Sequence, residues 1–561
     1  MDMHKRKLAA GLVLASVALL FLSEAAFSQT GTLESTAASQ NQTIAPVQPA
    51  NLLEQGVQLE RQGQWAEALS LYQRGIKEFP SDVALRQRRA IARIHFDLER
   101  RYSDRSFLQT ITATNGNTAL KVYSEVLLKI QSYYVDEPKW VYLTNFGLTN
   151  LEVALKAKNF QSRNLPQATP QQIAAAIQKM RNRLDQQSVR NRADAYMVAN
   201  AVAQMMKREL NVPVQSTIYE FTSGAIASLD PYSAFMSNSQ YSETMSQIEG
   251  NFVGLGVELK THADHLEIVN VIPGGPASAG HVQPGDQITA VDNQLVSEVG
   301  SERAADMLRG VEGSVVSITL ARPAQTTQSI RLERRRVEIP SVDQVGIIDP
   351  KNGVAYIRLT NFQKTTARDF DNALWNLHRQ GMRSLIVDVR SNPGGLLSAS
   401  VEVADRFVNS GVIVSTRGRN PMEDFTHRAQ MTNTWRVPLV VLIDENSASA
   451  SEIFAAAISD HRRGTIVGRQ SYGKGSVQGI FPLNAAGGGV RLTTAKFFSP
   501  KGNPINQVGV KPDVAVQYAA RANASAGIQD EGDNGLRIAI EVANRAVTAS
   551  RSSNKSTVTG R

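Results

Sequence analysis

Three serines at alternate positions are the first candidates for chemistry in this 561-residue chain. They lie in the stretch ENSASASEIFAAAISD, directly after the apolar run VPLVVLID, and are Ser447, Ser449 and Ser451. A strand that ends in small residues and opens into a helix often displays a nucleophile. Ser449 and Glu452 have capping-box spacing, which predicts that Ser449 lies at a helix N-terminus, where N–H groups stabilise a developing oxyanion. The alternative is a serine that only caps the helix, which is the more common case.

A serine nucleophile needs a group that accepts its proton, and histidine is a poor candidate here. His461 is the nearest histidine in the chain, but a helix between the two residues would hold it roughly 18 Å from Ser449. Lys474 is a better candidate because glycines flank it in the turn VGRQSYGKGSVQG, where the backbone can pack closely. A lysine acts as a general base when desolvation lowers its pKa, and Ser–Lys pairs are a known variant of the serine arrangement. The alternative is a solvated turn lysine, the ordinary environment of this residue.

A phosphate-binding loop is the rival interpretation of the same turn. Gly468, Gly473 and Lys474 match most of the pattern G-x-x-x-x-G-K-[ST]. The next residue is Gly475, so the hydroxyl that would bind Mg²⁺ is absent from its place. The following GSVQGIFPL has strand character, whereas a P-loop requires a helix there. The sequence therefore argues against nucleotide binding.

The elements that must position these residues alternate in type after residue 353. The apolar runs GVAYIRL, SLIVDVR, VPLVVLID and GTIVG alternate with helical segments such as TARDFDNALWNLHRQG. This alternation predicts an α/β layer with largely parallel, buried strands.

A smaller β-rich unit precedes this layer. Short β-type runs separated by Gly and Pro begin at Phe252, with ERAADMLRG as a helix among them. The segment GLGV resembles the carboxylate-binding loop of PDZ domains, in which successive backbone N–H groups form a nest for a terminal carboxylate. Its residues, the predicted peptide-binding residues, are Gly254, Leu255, Gly256 and Val257. The order of strand, Pro-Gly turn, short helix and strand across residues 245–335 predicts a PDZ domain.

The N-terminal half is predicted to be helical. The segment GVQLERQGQWAEALSLYQRGIKEFPSD has glycines, aromatic residues and a proline at spacings that resemble a tetratricopeptide repeat, and a simple helical hairpin explains it equally well. Apolar residues at helical spacing predict helices over residues 118–134 and 215–229. Between them, a stretch rich in Gln, Arg and Asn at about 157–212 is expected to form an inserted helical pair on the surface.

The first residues indicate the compartment in which the protein acts, and the composition excludes several kinds of catalytic chemistry. MDMHKRK, LAAGLVLASVALLFL and AFS predict an export signal cleaved after Ser28; an uncleaved anchor is the alternative, although it normally needs about 20 apolar residues. The absence of cysteine excludes disulfides, thiolate catalysis and Cys-bound zinc, and no H-E-x-x-H motif occurs, so no metal or other cofactor is expected. The net charge of +9 is spread along the chain, which argues against a nucleic-acid partner.

Three separated segments, RSNPGGLLSASVEVADRF, NSASASEIFAAAISDHRRGTIVGRQSYGKGSVQ and RLTTAKFFSPKGNPINQVGVKPDV, resemble the carboxyl-terminal processing (tail-specific) proteases. The resemblance covers residues 118–145 and 215–520. The tetratricopeptide-like segment and the 157–212 stretch depart from the family pattern.

The resemblance assigns roles to individual residues. It implies that Ser449 is the nucleophile, that Lys474 is the general base and that Gln478 orients the lysine. The implied oxyanion donors are the N–H group of Ala450 and a glycine of NPGG, which is Gly394 or Gly395.

The sequence therefore predicts a multidomain α/β (α+β) protein. The predicted parts are a signal peptide (1–28), a linker (29–47), a tetratricopeptide-like segment (48–105), a helical region with an insertion (106–244), a PDZ domain (245–335), a Ser–Lys protease core (336–520) and a C-terminal helix with a polar tail (521–561).

The predicted function is that of an exported, periplasmic or cell-envelope serine endopeptidase that binds substrate C-termini in its PDZ domain and cleaves through an acyl-enzyme. An adaptor protein on the N-terminal helical segment, and the membrane if the signal is uncleaved, are further expected partners. The alternative is a catalytically silent scaffold that binds peptides through the PDZ and helical modules.

Overall fold

The computed structural model of the protein describes residues 48–184, 188–322, 326–517 and 533–556. The predicted signal peptide, the linker and the last residues of the polar tail lie outside the described residues. Within these ranges, no helix combines the length and the apolar character that crossing a membrane requires.

The helices fall mainly in the N-terminal half and around the central sheet of the C-terminal half. They are α1 (Pro49–Arg61), α2 (Trp65–Glu78), α3 (Val83–Ser103), α4 (Arg105–Ala113), α5 (Gly116–Tyr133), α6 (Trp140–Lys156), α7 (Lys158–Asn164), α8 (Pro170–Leu184), α9 (Arg192–Leu210), α10 (Val214–Ala227), α11 (Asn238–Glu249), α12 (Pro276–Ala279), α13 (Val296–Val299), α14 (Ser301–Leu308), α15 (Thr366–Arg379), α16 (Leu397–Asp405), α17 (Ala450–Asp460) and α18 (Asn534–Ser556).

The strands begin shortly before the PDZ unit. They are β1 (Ala234–Met236), β2 (Asn251–Gly254), β3 (Val257–Thr261), β4 (Leu266–Val271), β5 (Gln287–Val291), β6 (Gln294–Leu295), β7 (Val315–Ala321), β8 (Gln328–Glu333), β9 (Arg335–Glu338), β10 (Val342–Asp349), β11 (Val354–Leu359), β12 (Ser384–Asp388), β13 (Val412–Gly418), β14 (Thr426–Arg428), β15 (Leu439–Ile443), β16 (Thr465–Gly468), β17 (Ser476–Pro482), β18 (Gly489–Phe498) and β19 (Val514–Ala515).

The tetratricopeptide-like segment consists of α1, α2 and α3 around a small core of its own. Tyr72 lies at the centre of this core, and Leu85 and Ala92 of α3 complete it. A Cβ atom at Gly56 would lie 2.3 Å from the Tyr72 ring, so the close approach of α1 to α2 requires glycine. The third helix therefore buries the face that a two-helix hairpin would leave exposed.

The helical region packs α4–α10 around a shared apolar core. The segment at 157–212 contributes α7, α8 and α9, and side chains such as Phe160, Ile177 and Val202 are buried in that core. This differs from the expected helical pair on the surface. The apolar residues of these helices recur at helical spacing between many polar residues. The polar composition of the segment therefore did not indicate that one face of each helix is buried.

The C-terminal half is built on a twisted sheet with the strand order β10-β11-β12-β15-β16-β19. Within this sheet, β11, β12, β15, β16 and β19 run parallel to one another. Strand β10 pairs with β11 at the edge and is antiparallel to it. Helices α15, α16 and α17 cover one face, and α18 covers the other. Both faces are therefore buried, which explains the continuous apolar character of the strands and confirms the predicted α/β layer.

A second, antiparallel sheet connects this layer to the helical region. It has the order β1-β18-β13-β14, and β17 pairs with β18. Phe481, Leu483, Val490 and Leu492 of the β17–β18 hairpin are buried in the core of the helical region. One face of the hairpin thus belongs to the N-terminal half of the protein.

The PDZ unit is a separate sheet with the order β3-β4-β5-β7-β8, with α14 packed against it. A two-stranded ribbon of β2 and β9 joins this unit to α11 and to β10. The predicted PDZ-like architecture is confirmed.

Candidate active site

The predicted nucleophile, the predicted general base and the glycines of NPGG follow the carboxyl ends of neighbouring parallel strands. The NPGG segment follows β12, the serine turn (residues 444–451) follows β15, and the lysine turn (residues 469–475) follows β16. Strands β12, β15 and β16 are adjacent and parallel, so their carboxyl ends lie at the same edge of the sheet. Binding sites of open parallel sheets commonly form at this edge.

The hydroxyl groups of the three serines have different environments. Ser447 Oγ donates to the Val389 carbonyl at 2.7 Å, and Ser451 Oγ donates to the Asn392 carbonyl at 2.9 Å. Ser449 Oγ is buried and has no hydrogen-bond partner among the described residues. Ser449 also has a φ of 56°, a strained backbone conformation for a residue with a side chain. The hydroxyls of Ser447 and Ser451 therefore stabilise the turn, whereas the hydroxyl of Ser449 is not engaged in it.

Glu452, on the first turn of α17, connects the serine turn to the lysine turn. Its Oε2 atom accepts hydrogen bonds from the Ser449 N–H at 2.8 Å and from the Lys474 N–H at 2.9 Å. The backbone nitrogens of Ser449 and Lys474 are therefore within about 6 Å of each other, because both lie within hydrogen-bond distance of one oxygen.

The other oxygen of the same carboxylate holds the segment before the lysine. Glu452 Oε1 accepts from the Ser471 hydroxyl and from the Gly473 N–H, both at 2.6 Å. Burial raises the pKa of Glu452, while these hydrogen bonds act in the opposite direction. One buried carboxylate thus fixes both turns through their backbones.

Lys474 is buried, with 6% of its surface exposed. Burial and the nearby guanidinium of Arg491 lower the pKa of Lys474 from 10.5 to about 7, against the opposing effect of the Glu452 and Asp230 carboxylates. A lysine with such a pKa is about half neutral near pH 7, and its neutral form can accept a proton.

Gln478 lies on β17, buried beside the lysine turn. Its amide nitrogen donates to Ser476 Oγ at 2.9 Å and lies 3.5 Å from Thr493 Oγ1. Its Oε1 atom is buried and has no hydrogen-bond partner within the described part of the chain. The side chain is therefore held by its nitrogen, and the oxygen is left as an available acceptor.

The two glycines of NPGG are not equivalent. A Cβ atom at Gly394 would lie 2.8 Å from Ser449 Cβ and 2.9 Å from the Ala450 nitrogen, so Gly394 borders the serine turn directly. The Gly394 N–H, however, donates to Asn392 Oδ1 at 2.9 Å. The N–H of Gly395 has no such acceptor among the described residues.

Asn392 is a residue of this site that the sequence did not reveal. It is fully buried, and its carbonyl oxygen accepts from the Ala448 N–H at 3.1 Å and from the Ser451 hydroxyl. Its side-chain nitrogen donates to the Leu359 carbonyl at 2.8 Å. Asn392 therefore locks the NPGG segment against the serine turn.

Sequence reasoning also missed the role of Glu452, which it treated as a helix cap, and the approach of Tyr232 to Lys474. The ring of Tyr232, in the DPYS segment before β1, lies over the lysine with its centroid 5.1 Å from Nζ. The capping-box spacing was the available signal for Glu452. A contact between residues 232 and 474 leaves no local signal in the sequence.

In the GLGV loop of the PDZ unit, backbone hydrogen bonds engage the two central carbonyl groups. The Leu255 carbonyl accepts from the Ala277 N–H and the Gly256 carbonyl accepts from the Ile272 N–H, both at 2.8 Å. Across a trans peptide the next N–H points opposite to the carbonyl, so the N–H groups of Gly256 and Val257 point away from these partners. Gly256 has a φ of 76°, which only glycine adopts without strain.

Comparison with known families agrees with this architecture. The family model described as peptidase family S41 matches residues 353–516, that of the PDZ domain matches residues 244–321, and that of a tetratricopeptide repeat matches residues 49–92.

Curated relatives extend the agreement over more than half of the chain. A carboxy-terminal-processing protease of Bartonella bacilliformis is 35% identical over 309 residues, which cover 54% of this chain and 70% of the relative. A carboxyl-terminal-processing protease of Picosynechococcus is 34% identical over 319 residues, covering 55% of this chain and 75% of the relative. Among solved structures, a photosystem II D1 C-terminal processing protease is 24% identical and covers 71% of this chain and 93% of that chain, with a TM-score of 0.36.

The protein is therefore a serine peptidase with a PDZ domain, a hydrolase whose substrates are peptides or proteins. It belongs to the carboxy-terminal-processing protease family.

Proposed function

We propose that Ser449 is the nucleophile and Lys474 the general base of this protease, and that the reaction proceeds through an acyl-enzyme. Lys474 Nζ removes the hydroxyl proton of Ser449 as Oγ attacks the scissile carbonyl, and the resulting ammonium protonates the leaving amine. A water molecule then hydrolyses the ester, with Lys474 again accepting the proton. The scaffold alternative is disfavoured because the relatives of this chain are proteases.

The observation that carries this proposal is the free, buried hydroxyl of Ser449 on a turn that shares the Glu452 carboxylate with Lys474. The neighbouring serines have their hydroxyls engaged in backbone hydrogen bonds, so they lack a free nucleophile. The lowered pKa of Lys474 supports its role as a base near neutral pH.

Gln478 is proposed to orient the amine of Lys474, because its Oε1 atom is a buried acceptor on the adjacent strand. For the oxyanion, we propose the N–H of Ala450, the first residue of α17, together with a glycine of NPGG. The use of the Gly394 N–H by Asn392 favours Gly395 as that second donor in this conformation.

We further propose that Gly254, Leu255, Gly256 and Val257 bind the C-terminal carboxylate of the substrate. The support is the direction of the Gly256 and Val257 N–H groups, which the engaged carbonyls of the loop fix. The upstream residues of the substrate would then add as a strand along β3.

The proposal has two further parts. The protein is exported to the periplasm or cell envelope, and an adaptor protein binds its tetratricopeptide-like segment. Export is supported by the basic and apolar pattern of the first residues. The adaptor is supported by the repeat-like packing of α1, α2 and α3. Fractionation of cells that produce the full chain tests the first, and copurification with and without residues 48–103 tests the second.

Three serine variants in the same segment test the chemistry. Ser449→Ala should abolish peptide cleavage, with a loss of about 10⁴-fold or more in kcat, because no other hydroxyl can take its place. Ser451→Ala is the matched control, a buried hydroxyl two residues away, and should retain most of the activity, as should Ser447→Ala. A similar loss for Ser449→Ala and Ser451→Ala would contradict the assignment of Ser449.

A further inference from the structure

The DPYS loop (residues 230–233), which belongs to the helical region and not to the protease core, closes one side of the proposed active site. We propose that Tyr232 of this loop is a positioning residue for Lys474: its ring covers the lysine amine and separates it from solvent. The inference rests on the proposed role of Lys474 as general base.

The contact between the two residues is direct. The Lys474 Nζ atom lies 5.1 Å from the centroid of the Tyr232 ring, on the ring face. Lys474 is buried, whereas Tyr232 is only partly buried. The ring is therefore in a position to shield the amine from the surrounding water.

The DPYS loop is fixed from within by Asp230. One of its carboxylate oxygens accepts from the N–H groups of Tyr232 and Ser233, at 2.7 and 2.9 Å. The same oxygen accepts from the hydroxyl of Thr493 on β18 at 3.1 Å. Thr493 Oγ1 in turn lies 3.5 Å from the amide nitrogen of Gln478, so the loop and the proposed orienting residue share a neighbour.

The backbone of the loop is fixed to the protease core as well. The Tyr232 carbonyl accepts from Arg491 Nε at 2.8 Å, and β1, which follows directly, pairs with β18 from Ala234 to Met236. Such contacts on both sides hold the ring in place over the lysine. A loop that only connected α10 to α11 would need none of them.

The charged groups around the amine come from three elements. Arg491 on β18 disfavours the ammonium form of Lys474, whereas Glu452 on α17 and Asp230 in the loop favour it. Burial raises the pKa of the Tyr232 phenol, and the neighbouring Tyr472 raises it further. These groups remain when the Tyr232 ring is removed, so a change in the titration of Lys474 would report the ring itself.

The ring has two opposing effects on the ammonium form. Its π face attracts a cation, but the ring also excludes water, which solvates an ammonium far better. Removal of the ring should therefore stabilise the protonated lysine. The neutral base would then be scarcer at a given pH.

The test is the pH dependence of kcat/KM for Tyr232→Ala in the full chain. We expect the acid limb to move up by about one pH unit, which corresponds to a loss of about fivefold at pH 7 that disappears above pH 9. The KM should stay unchanged. A residue with only a structural role would lower activity at every pH and leave the shape of the profile unaltered.

Two further variants keep the result interpretable. Tyr232→Phe retains the ring and should retain the wild-type profile. Tyr219→Leu is the matched stability control, because Tyr219 is a buried tyrosine of the same helical region that packs on Phe107 and Phe235. It should lower the melting temperature without moving the acid limb.

The inference is overturned if Tyr232→Ala has the wild-type pH profile while Lys474→Ala is inactive. If Lys474→Ala retains activity, the proposed function fails first, and the two failures are thereby distinguished.

Discussion

The serine turn and the GLGV loop of the PDZ unit both follow or border a strand, but they are held by different groups. In the serine turn, side chains make the decisive hydrogen bonds: Asp444 accepts from the N–H groups of Ser391 and Ser447, and Glu452 accepts from those of Ser449 and Lys474. In the GLGV loop, the backbone carbonyls of Leu255 and Gly256 make them. The first segment depends on particular buried side chains, and the second depends on a backbone conformation.

This difference matches the proposed tasks. A nest of N–H groups can bind the carboxylate that every polypeptide C-terminus carries, without discriminating among side chains. Acyl transfer instead needs a nucleophile and a base that are held in one geometry and shielded from water. Side-chain substitutions should therefore act on turnover in the serine turn, and changes of backbone freedom should act on substrate binding in the GLGV loop.

The largest effect is expected for Lys474→Met, which should lower kcat/KM by about 10⁴-fold or more because the general base is lost. The same variant should be more stable than the wild type. The folded-state pKa of about 7 lies below the ordinary 10.5, so the folded wild type is destabilised fully below pH 7 and progressively less as the pH rises to 10.5.

Thermal unfolding at pH 6 and at pH 10.5 measures this difference. The stability gain of Lys474→Met should be about 3–5 kcal/mol at pH 6 and should vanish near pH 10.5. An equal gain at both pH values would show that Lys474 has an ordinary pKa in the folded protein.

Glu452→Gln should have the next largest effect, a loss of about 10²–10³-fold in kcat with KM nearly unchanged. A glutamine keeps the shape, but its amide nitrogen cannot accept a hydrogen bond, so two of the four charge-assisted bonds that hold the two turns are lost, at about 1.5–3 kcal/mol each. Glu445→Gln is the matched control, since Glu445 is half-exposed and pairs with Arg469 at the surface. A rise in KM without a fall in kcat would contradict the positioning role.

The smallest effect is expected in the GLGV loop. Gly256→Val should raise KM by about 10- to 150-fold for a peptide with a free C-terminus, because a β-branched residue disfavours the positive φ that the nest needs. Amidation of the peptide should weaken wild-type binding to a similar extent, and the variant should then be insensitive to amidation. Turnover should also fall if binding in the groove helps to assemble the catalytic pair.

Gly274→Val controls for backbone strain alone. Gly274 also has a positive φ, 77°, but a Cβ atom there would meet nothing within 4 Å. If Gly274→Val and Gly256→Val raise KM equally, or if free and amidated peptides are cleaved alike by the wild type, tail recognition by this loop is refuted.

The sequence predicted both of these regions, but it did not predict the burial of the 157–212 segment. Ser449 and Lys474 could be proposed from small-residue spacing and flanking glycines, and GLGV from the order of strands and turns, because these signals are local. The 157–212 segment was expected on the surface because it is rich in polar residues, although Phe160 and Val202 are buried in it. Burial of one helix face depends on which elements of the fold pack against it. The amino-acid composition of the helix does not contain this information.

The sequence by itself determined the elements of this protein: the alternating strands and helices of the core, the glycine-rich turns, and the residue types able to act as nucleophile and base. Hydrophobic periodicity and turn-forming residues depend on residues that are close in the chain, so they can be recognised without knowledge of the tertiary structure. Only the tertiary structure decided which serine hydroxyl remains free, that Glu452 joins the serine and lysine turns, and that Tyr232 covers Lys474. These contacts join residues far apart in the chain, and burial is what gives them their effect, since a lysine pKa near 7 requires the exclusion of water that packing alone provides.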